Sequence, residues 1–351
     1  MELSDGAMLA LIGFGGGALL GLSARIGRFC TLGAIEDALY GGDFKRLRMW
    51  SLALGLCIIS FAVAEAYGYA SAETSIYANS AWNPAASIFG GLVFGYGMAL
   101  AGNCGFGALS RLGGGDLRSF VVVIVMGVSA YMTIGGPFGA LRVMIFPPSA
   151  TGGDPTEWSI AHALSALFGS PVLAIALAFG LIFCAIALAN AEFRKSPKHI
   201  FWAVVVAIAV MSGWVGTTWM VENSFEDITA GSHTYTAPVG ETLIYLMTST
   251  GGGLSFGVGS VAGVLVGAFA GSFQRGHFRW EACDDPRELG RQIFGATLMG
   301  IGAVTALGCS LGQGLAAFSA MSYSAPVTLL AIFVGAAVGL RQLIQGFARQ
   351  G

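Results

Sequence analysis

Apolar residues in this chain run in long unbroken stretches instead of alternating or recurring on one face. The stretches are Leu9 to Leu20, Trp50 to Ala70, Phe120 to Ile134, Val172 to Ala191, Phe201 to Met211, Leu254 to Phe273 and Val327 to Leu340. They predict helices that cross a bilayer, which takes on the order of 20 apolar residues each. Three further segments, Ala7 to Tyr40, Ala85 to Leu112 and Gln292 to Tyr323, are too long for one straight crossing, and glycine clusters interrupt each of them. They predict broken or re-entrant short helices. Non-helical backbone at membrane depth is tolerated only where protein buries it or where it lines a polar cavity, so the breaks mark where a path is expected. The fold class read from the pattern is an all-α polytopic membrane protein with about nine crossings.

Composition supports this reading. Hydrophobic residues make up 55% of the chain and charged residues 10%, against roughly 25% charged in a soluble domain, so most of the surface cannot face water. The 54 glycines sit inside apolar runs, where they serve close packing and bending. Glycine spacing such as Gly13-x-x-x-Gly17-x-x-x-Gly21 reads as a helix-packing face. A formal net charge of -2 gives no reason to expect nucleic acid as a partner. No glycine-rich run has the Walker spacing with a following Lys-Ser or Lys-Thr, so ATP hydrolysis is not expected. The four histidines, at 162, 199, 233 and 277, stand apart from one another and are expected at the surface. No metal, cofactor or catalytic residue is called for.

Topology follows the basic residues in short loops. Lys45-Arg46-Leu47-Arg48, Arg111 with Arg118, Arg194-Lys195 with Lys198, the stretch from Arg275 to Arg291, and the tail with Arg341 and Arg349 mark one side, read as cytoplasmic. The loops Ser71 to Asn83, Pro147 to Trp158 and Glu222 to Glu241 carry acids and no Lys or Arg, which places them on the other side. The expectation is a multi-pass protein of a bacterial inner (cytoplasmic) membrane, with its N-terminus outside and its C-terminus cytoplasmic. No basic residue precedes the first apolar stretch, so the first helix is expected to be retained.

One membrane domain, 1–351, is expected to contain an internal repeat. Phe14-Gly15-x-Gly17-x-x-x-Gly21 returns as Phe256-Gly257-x-Gly259-x-x-x-Gly263, and aligning Cys104 on Cys309 superposes Gly95 on Gly300, Gly97 on Gly302, Ala101 on Ala306 and Gly107 on Gly312. The related halves are approximately 7–135 and 250–345, around a less repeated middle, 136–249. Halves of this kind packed about a midplane site are common in secondary transporters. The charge pattern runs the first pair of blocks in the same direction and the cysteine pair in opposite directions.

Six cysteines, at 30, 57, 104, 184, 283 and 309, form no C-x-x-C pair or zinc spacing and are expected as free thiols. Cys30, Cys104 and Cys309 stand in glycine-broken surroundings. Cys57 and Cys184 lie in plain apolar helices, and Cys283 lies in a charged loop. Among the charged residues beside the breaks, Arg25, Arg28, Glu36, Asp37 and Arg111, the functional candidate is Arg28. It lies two positions from Cys30 and can raise the local anion concentration; the alternative for this group is interfacial anchoring.

The chain resembles the YeeE/YedE sulfur-transport family over nearly its whole length. The resemblance rests on Gly27-Arg28-Phe29-Cys30, on Gly95-Tyr96-Gly97-Met98 leading to Gly102-Asn103-Cys104, on Gly276-His277-Phe278-Arg279-Trp280, and on Gly300-Ile301-Gly302 leading to Gly308-Cys309-Ser310-Leu311-Gly312. One departure is Asn103, where the family pattern has Gly. The resemblance implies uptake of thiosulfate or a closely related sulfur anion into the cytoplasm, with Cys30, Cys104 and Cys309 as successive sites. It also implies a possible small cytoplasmic sulfur-carrier protein as partner, for which the loops around Arg46 and Arg279 are docking candidates.

The chemistry is coherent with that implication. A thiol near its ordinary pKa of about 8.5 stays protonated at neutral pH and donates a weak hydrogen bond to a soft anion, whereas a thiolate repels it. Weak successive sites suit conduction. Helix N-termini favour anions, and Gly105, Gly107 and Gly312 permit such ends beside Cys104 and Cys309. Two rivals stay open: a membrane sulfur-transfer or redox protein using the same cysteines, and a transporter of a selenium compound, sulfite or sulfide.

Overall fold

The computed structural model describes residues 4–80, 82–147, 158–225, 227–250, 253–281 and 285–348. Cys283 lies outside these residues. Nine of the described helices have 17 residues or more: α1 (Asp5–Arg25), α3 (Lys45–Ala66), α4 (Pro84–Ala101), α6 (Leu117–Ile134), α9 (Val172–Leu188), α11 (Pro197–Asn223), α13 (Phe256–Gln274), α14 (Pro286–Thr305) and α15 (Ser324–Ala348). Between them lie α2 (Thr31–Glu36), α5 (Gly105–Gly113), α7 (Pro137–Ile145), α8 (Ile160–Phe168), α10 (Ala191–Arg194) and α12 (Thr236–Thr248), with π-helical turns at Asp37–Gly41 and Gly312–Ala317. Seven helical stretches are long and apolar enough to cross a membrane, one of them spanning α4 and α5 together. No strand occurs among the described residues. The chain is an all-α polytopic membrane protein.

Local signals set the helix starts. The Ser4 side chain accepts from the Ala7 N–H, Asn83 from Ala86 ahead of Pro84, and Asp285 from Arg287 ahead of Pro286; each satisfies an N–H that the first turn leaves unpaired. On the outside of the bundle Leu330, Val334 and Val338 recur every fourth residue on α15 and are more than half exposed. That spacing puts them on one stripe of the helix, which a lipid phase covers and water would not.

Glycines bring the helices together. Gly13, Gly17 and Gly21 of α1 press on the carbonyls of Phe256, Ser260 and Val264, and Gly259, Gly263 and Gly267 of α13 press on those of Ala10, Phe14 and Ala18. The matched positions rise together, so α1 and α13 run parallel. Gly90 of α4 faces Ala306 while Gly97 faces Gly295, so α4 and α14 run antiparallel. Both relative directions agree with those read from the charge pattern. Between apolar helices in lipid, van der Waals packing of this closeness replaces the hydrophobic driving force that holds a water-soluble bundle.

Two loops that the charge pattern places outside fold inward. Residues 227–235 run down beside α11: Gly231 N–H donates to Thr217 Oγ1 (3.0 Å) and Ser232 Oγ–H to the Val210 carbonyl (2.6 Å). His233, expected at the surface, is fully buried there, its Nδ1 2.7 Å from Ser260 Oγ and its ring stacked on Tyr235. The segment carries no long apolar run, yet its polar backbone finds partners on α11, which is what allows it below the surface. Residues 70–80 behave similarly, with Ala72 and Ser75 fully buried and Tyr77 Oη reaching the Gly312 carbonyl at 3.4 Å.

Candidate functional site

The breaks in α1–α2, α4–α5 and α14 share one local design. Each long helix ends, a residue adopts a left-handed backbone conformation, a cysteine follows two positions later, and a short helix starts directly after it. The left-handed residues are Arg28 (φ 57°), Gly102 (φ 74°) and Leu307 (φ 57°). The cysteine carbonyl then accepts the first helical bond, from Ala34 N–H to Cys30 (3.1 Å), Ala108 N–H to Cys104 (2.8 Å) and Gln313 N–H to Cys309 (2.8 Å). The cysteine sulfur also caps its helix: Gly107 N–H lies 3.4 Å from Cys104 Sγ, and Gly312 N–H lies 3.5 Å from Cys309 Sγ. A glycine stands three residues after the cysteine in all three segments, as Gly33, Gly107 and Gly312. For Arg28 and Leu307 the left-handed conformation costs about 1–2 kcal/mol each relative to glycine, which the surrounding packing must offset.

Packing brings the three cysteines to one region. Cys104 and Cys309 are buried, and Cys30 is partly exposed. The thiols of Cys30 and Cys104 approach one another across Gly107, where a methyl group would stand 3.6 Å from Cys104 Sγ and 4.0 Å from Cys30 Sγ. Thr31 Oγ1–H donates to Ser310 Oγ (3.2 Å), joining the first cysteine segment to the third. Thr234, from the inward-folded segment, stands with Oγ1 3.5 Å from Cys309 Sγ. Gln313 holds the third elbow: its Nε2 donates to the carbonyls of Ala306 (2.9 Å) and Leu307 (3.0 Å), and its Oε1 accepts from Ser324 Oγ (3.0 Å).

Two cavities approach this region from opposite ends of the antiparallel α4–α14 pair, the first at Gly102 and Asn103, where α4 ends, and the second at Ala303, Val304 and Leu307, where α14 ends. The first, about 430 Å³, reaches Cys30, Asn103 and Gly107 and is walled by Arg25, Arg28, Arg46, Arg111 and Arg275 with a single carboxylate, Glu36. Arg46 is paired with Asp37 at 3.2 Å, and Arg25 donates to Ser272 Oγ at 2.6 Å. The second cavity, about 280 Å³, reaches Thr234, Leu307 and Gly308 beside Cys309 and is lined mainly by apolar side chains.

Of the residues singled out from sequence, Cys30, Arg28 and Gly107 line the first cavity, while Cys104, Cys309 and Gly312 lie in the buried layer between the two. Gly105 is turned away: its open side packs on Met126, and it lines neither cavity. Cys57 and Cys184 lie apart from this group, on α3 and α9. Sequence reading passed over Thr31, Ser310 and Thr234, because hydroxyl residues in a membrane protein are too common to signal anything by themselves. It also missed the threefold Cys-x-x-Gly spacing, which was legible.

A multi-pass helical body with a buried polar and thiol-bearing layer between two opposed cavities defines a membrane transport protein. A family model described as "Sulphur transport" matches residues 26–338, and the chain belongs to that family. It is 26% identical over 343 residues to a protein of Escherichia coli (strain K12) named thiosulfate transporter TsuA, covering 91% of this chain and 90% of that protein. It is 25% identical over 338 residues to a protein of the same name from Spirochaeta thermophila, covering 93% and 95%. These relatives are transporters, and the chain stands with them and not with enzymes.

Proposed function

We propose that the protein imports thiosulfate, or a closely related sulfur anion, into the cytoplasm of a bacterium through its inner membrane, by way of Cys30, Cys104 and Cys309. The single observation that carries this reading is the convergence of three cysteine elbows, far apart in the chain, between an arginine-walled cavity and an apolar one. The names of the two relatives support the substrate. The basic residues support an orientation with the N-terminus outside and the first cavity opening to the cytoplasm.

In this reading the thiols act as neutral donors. Thiosulfate ends in a soft sulfur that accepts weakly from S–H, so the anion is held at each cysteine and not trapped there. Thr31, Ser310 and Thr234 add hydroxyl donors between the thiols. The arginines of the first cavity, Arg28 among them, draw the anion onward by their summed positive potential. That same cavity mouth offers an acidic or anion-bearing cytoplasmic sulfur-carrier protein a place to receive the anion. The internal repeat, 7–135 with 250–345, accounts for the recurrence of the Cys104 elbow at Cys309 by duplication of one ancestral unit.

The test is uptake of radiolabelled thiosulfate into cells lacking their own import route, comparing the native chain with Cys30→Ala, Cys104→Ala and Cys309→Ala at matched membrane levels. Collapse of uptake in the variants is the expected result. Uptake that survives all three substitutions removes the cysteines from the mechanism, and native cells that take up sulfite, sulfide or selenium compounds in place of thiosulfate move the substrate assignment to those.

A further inference from the structure

The residue between the left-handed Gly102 and Cys104 carries a side-chain amide that the fold leaves unused. Asn103 is 3% exposed, and its Oδ1 is buried with no hydrogen-bond partner. Buried polar groups in folded proteins are almost always paired, and an amide left unpaired costs stability that a smaller or apolar residue at the same place would not. Its presence here points to a group that the protein itself does not supply. Rotation about the terminal bond of the side chain exchanges C=O and NH2, so the amide can turn either an acceptor or its N–H donors toward the same point.

The surroundings say where that group stands. Asn103 lines the first cavity together with Cys30 and Gly107. A methyl group on Gly107 would stand 3.3 Å from Asn103 Cβ, 3.6 Å from Cys104 Sγ and 4.0 Å from Cys30 Sγ, so the root of the amide and both sulfurs border one point. Donors close by are committed: Gly107 N–H lies 3.4 Å from Cys104 Sγ, and Thr31 Oγ1–H donates to Ser310 Oγ at 3.2 Å. A sulfur oxyanion has two unlike ends. Its soft sulfur suits weak S–H donors, whereas its oxygens take N–H donors, and a hydrogen bond to a charged oxygen is roughly twice as strong as a neutral one. Two thiols with an amide beside them can therefore read both ends of one anion. Because the amide is neutral, the site stays shallow enough for the anion to leave, as conduction requires. A site that hydrogen-bonds a substrate group also rejects an analogue lacking that group, since the buried donor is then left unpaired.

We propose that Asn103 is a specificity residue of the path: its N–H groups hold the oxygen end of the transported anion while Cys30 and Cys104 hold the sulfur end, and it selects sulfur oxyanions over hydrosulfide, which has no oxygen. The proposal rests on the transport reading above and deepens it, because thiols alone would treat soft sulfur anions alike.

The experiment compares the native chain with Asn103→Ala, Asn103→Ser and Asn103→Asp at matched membrane abundance. Thiosulfate uptake is measured across concentration with sulfite and hydrosulfide as competitors, and binding of all three anions to each purified protein in detergent is measured by calorimetry. For Asn103→Ala the expected result is a thiosulfate KM raised about tenfold, the factor that about 1.4 kcal/mol represents. Sulfite competition weakens by a similar factor, and hydrosulfide competition stays within about twofold of native. Asn103→Ser keeps a donor and recovers part of the loss, while Asn103→Asp sets a charge of the anion's own sign there and loses more than Asn103→Ala. A merely structural asparagine would shift all three anions together and lower the melting temperature, leaving the preference among them as it was. Native cells that fail to take up thiosulfate refute the substrate reading and hand the decision on Asn103 to the binding measurements, where sulfite bound about tenfold more weakly by Asn103→Ala, with hydrosulfide unchanged, supports the proposal. A sulfite-to-hydrosulfide preference that is the same in native and Asn103→Ala protein, or a native protein that binds none of the three anions, overturns it.

Discussion

Replacing Gly107 with alanine separates the fold from the transport step. An added Cβ at this position meets Asn103 Cβ at 3.3 Å, Cys104 Sγ at 3.6 Å and Cys30 Sγ at 4.0 Å, so it fits with at most a few tenths of an ångström of adjustment. The backbone there is helical, and Gly→Ala at a compatible helical position stabilises by about 0.4–1 kcal/mol. The melting temperature in detergent is therefore expected to stay level or rise by ~1–2 °C. The methyl group, however, occupies the point from which a substrate atom would accept hydrogen bonds from both thiols. Losing two such bonds at about 1 kcal/mol each removes about 2 kcal/mol of stabilisation, or roughly thirtyfold in rate. Radiolabelled uptake at saturating thiosulfate, normalised to membrane abundance, reads this directly. Native uptake by a Gly107→Ala protein of native stability would refute passage of substrate between Cys30 and Cys104.

The remaining predictions concern what holds the site in place. At Gly259 an added Cβ falls on the Ala10 carbonyl, whereas at Gly15 it meets nothing within 4 Å; Gly259→Ala should destabilise by about 1–3 kcal/mol through forced separation of α1 and α13, and Gly15→Ala should not, as thermal melts in detergent would register. Gln313→Leu leaves the Ala306 and Leu307 carbonyls without their side-chain partner and Ser324 Oγ with Ser322 Oγ alone. It should cost about 2 kcal/mol and reduce uptake together with stability, in contrast to Gly107→Ala.

The sequence by itself determined the membrane fold, because a bilayer accepts backbone only as hydrogen-bonded helix and so demands apolar runs of helical length wherever the chain crosses. It also determined where the helices break, since Gly102 and Gly308 stand at the elbows, and the relative directions of α1 with α13 and of α4 with α14, because lysine and arginine sort to one side. The cysteine candidates were legible for the same reason: Cys30, Cys104 and Cys309 follow those breaks, and Cys57 and Cys184 do not. The left-handed turns at Arg28 and Leu307 were not legible, since neither residue type favours that conformation and only the surrounding packing sustains it. Nor could the sequence show that residues 70–80 and 227–235 fold inward. They carry no apolar run, and their burial depends on hydrogen bonds to α11 and to the third elbow that form only once the helices are assembled. The position of Thr234 against Cys309, the burial of His233 and the placement of Asn103 beside Cys30 were thus decided by tertiary structure alone: each joins residues distant in the chain, and no local preference encodes such a meeting.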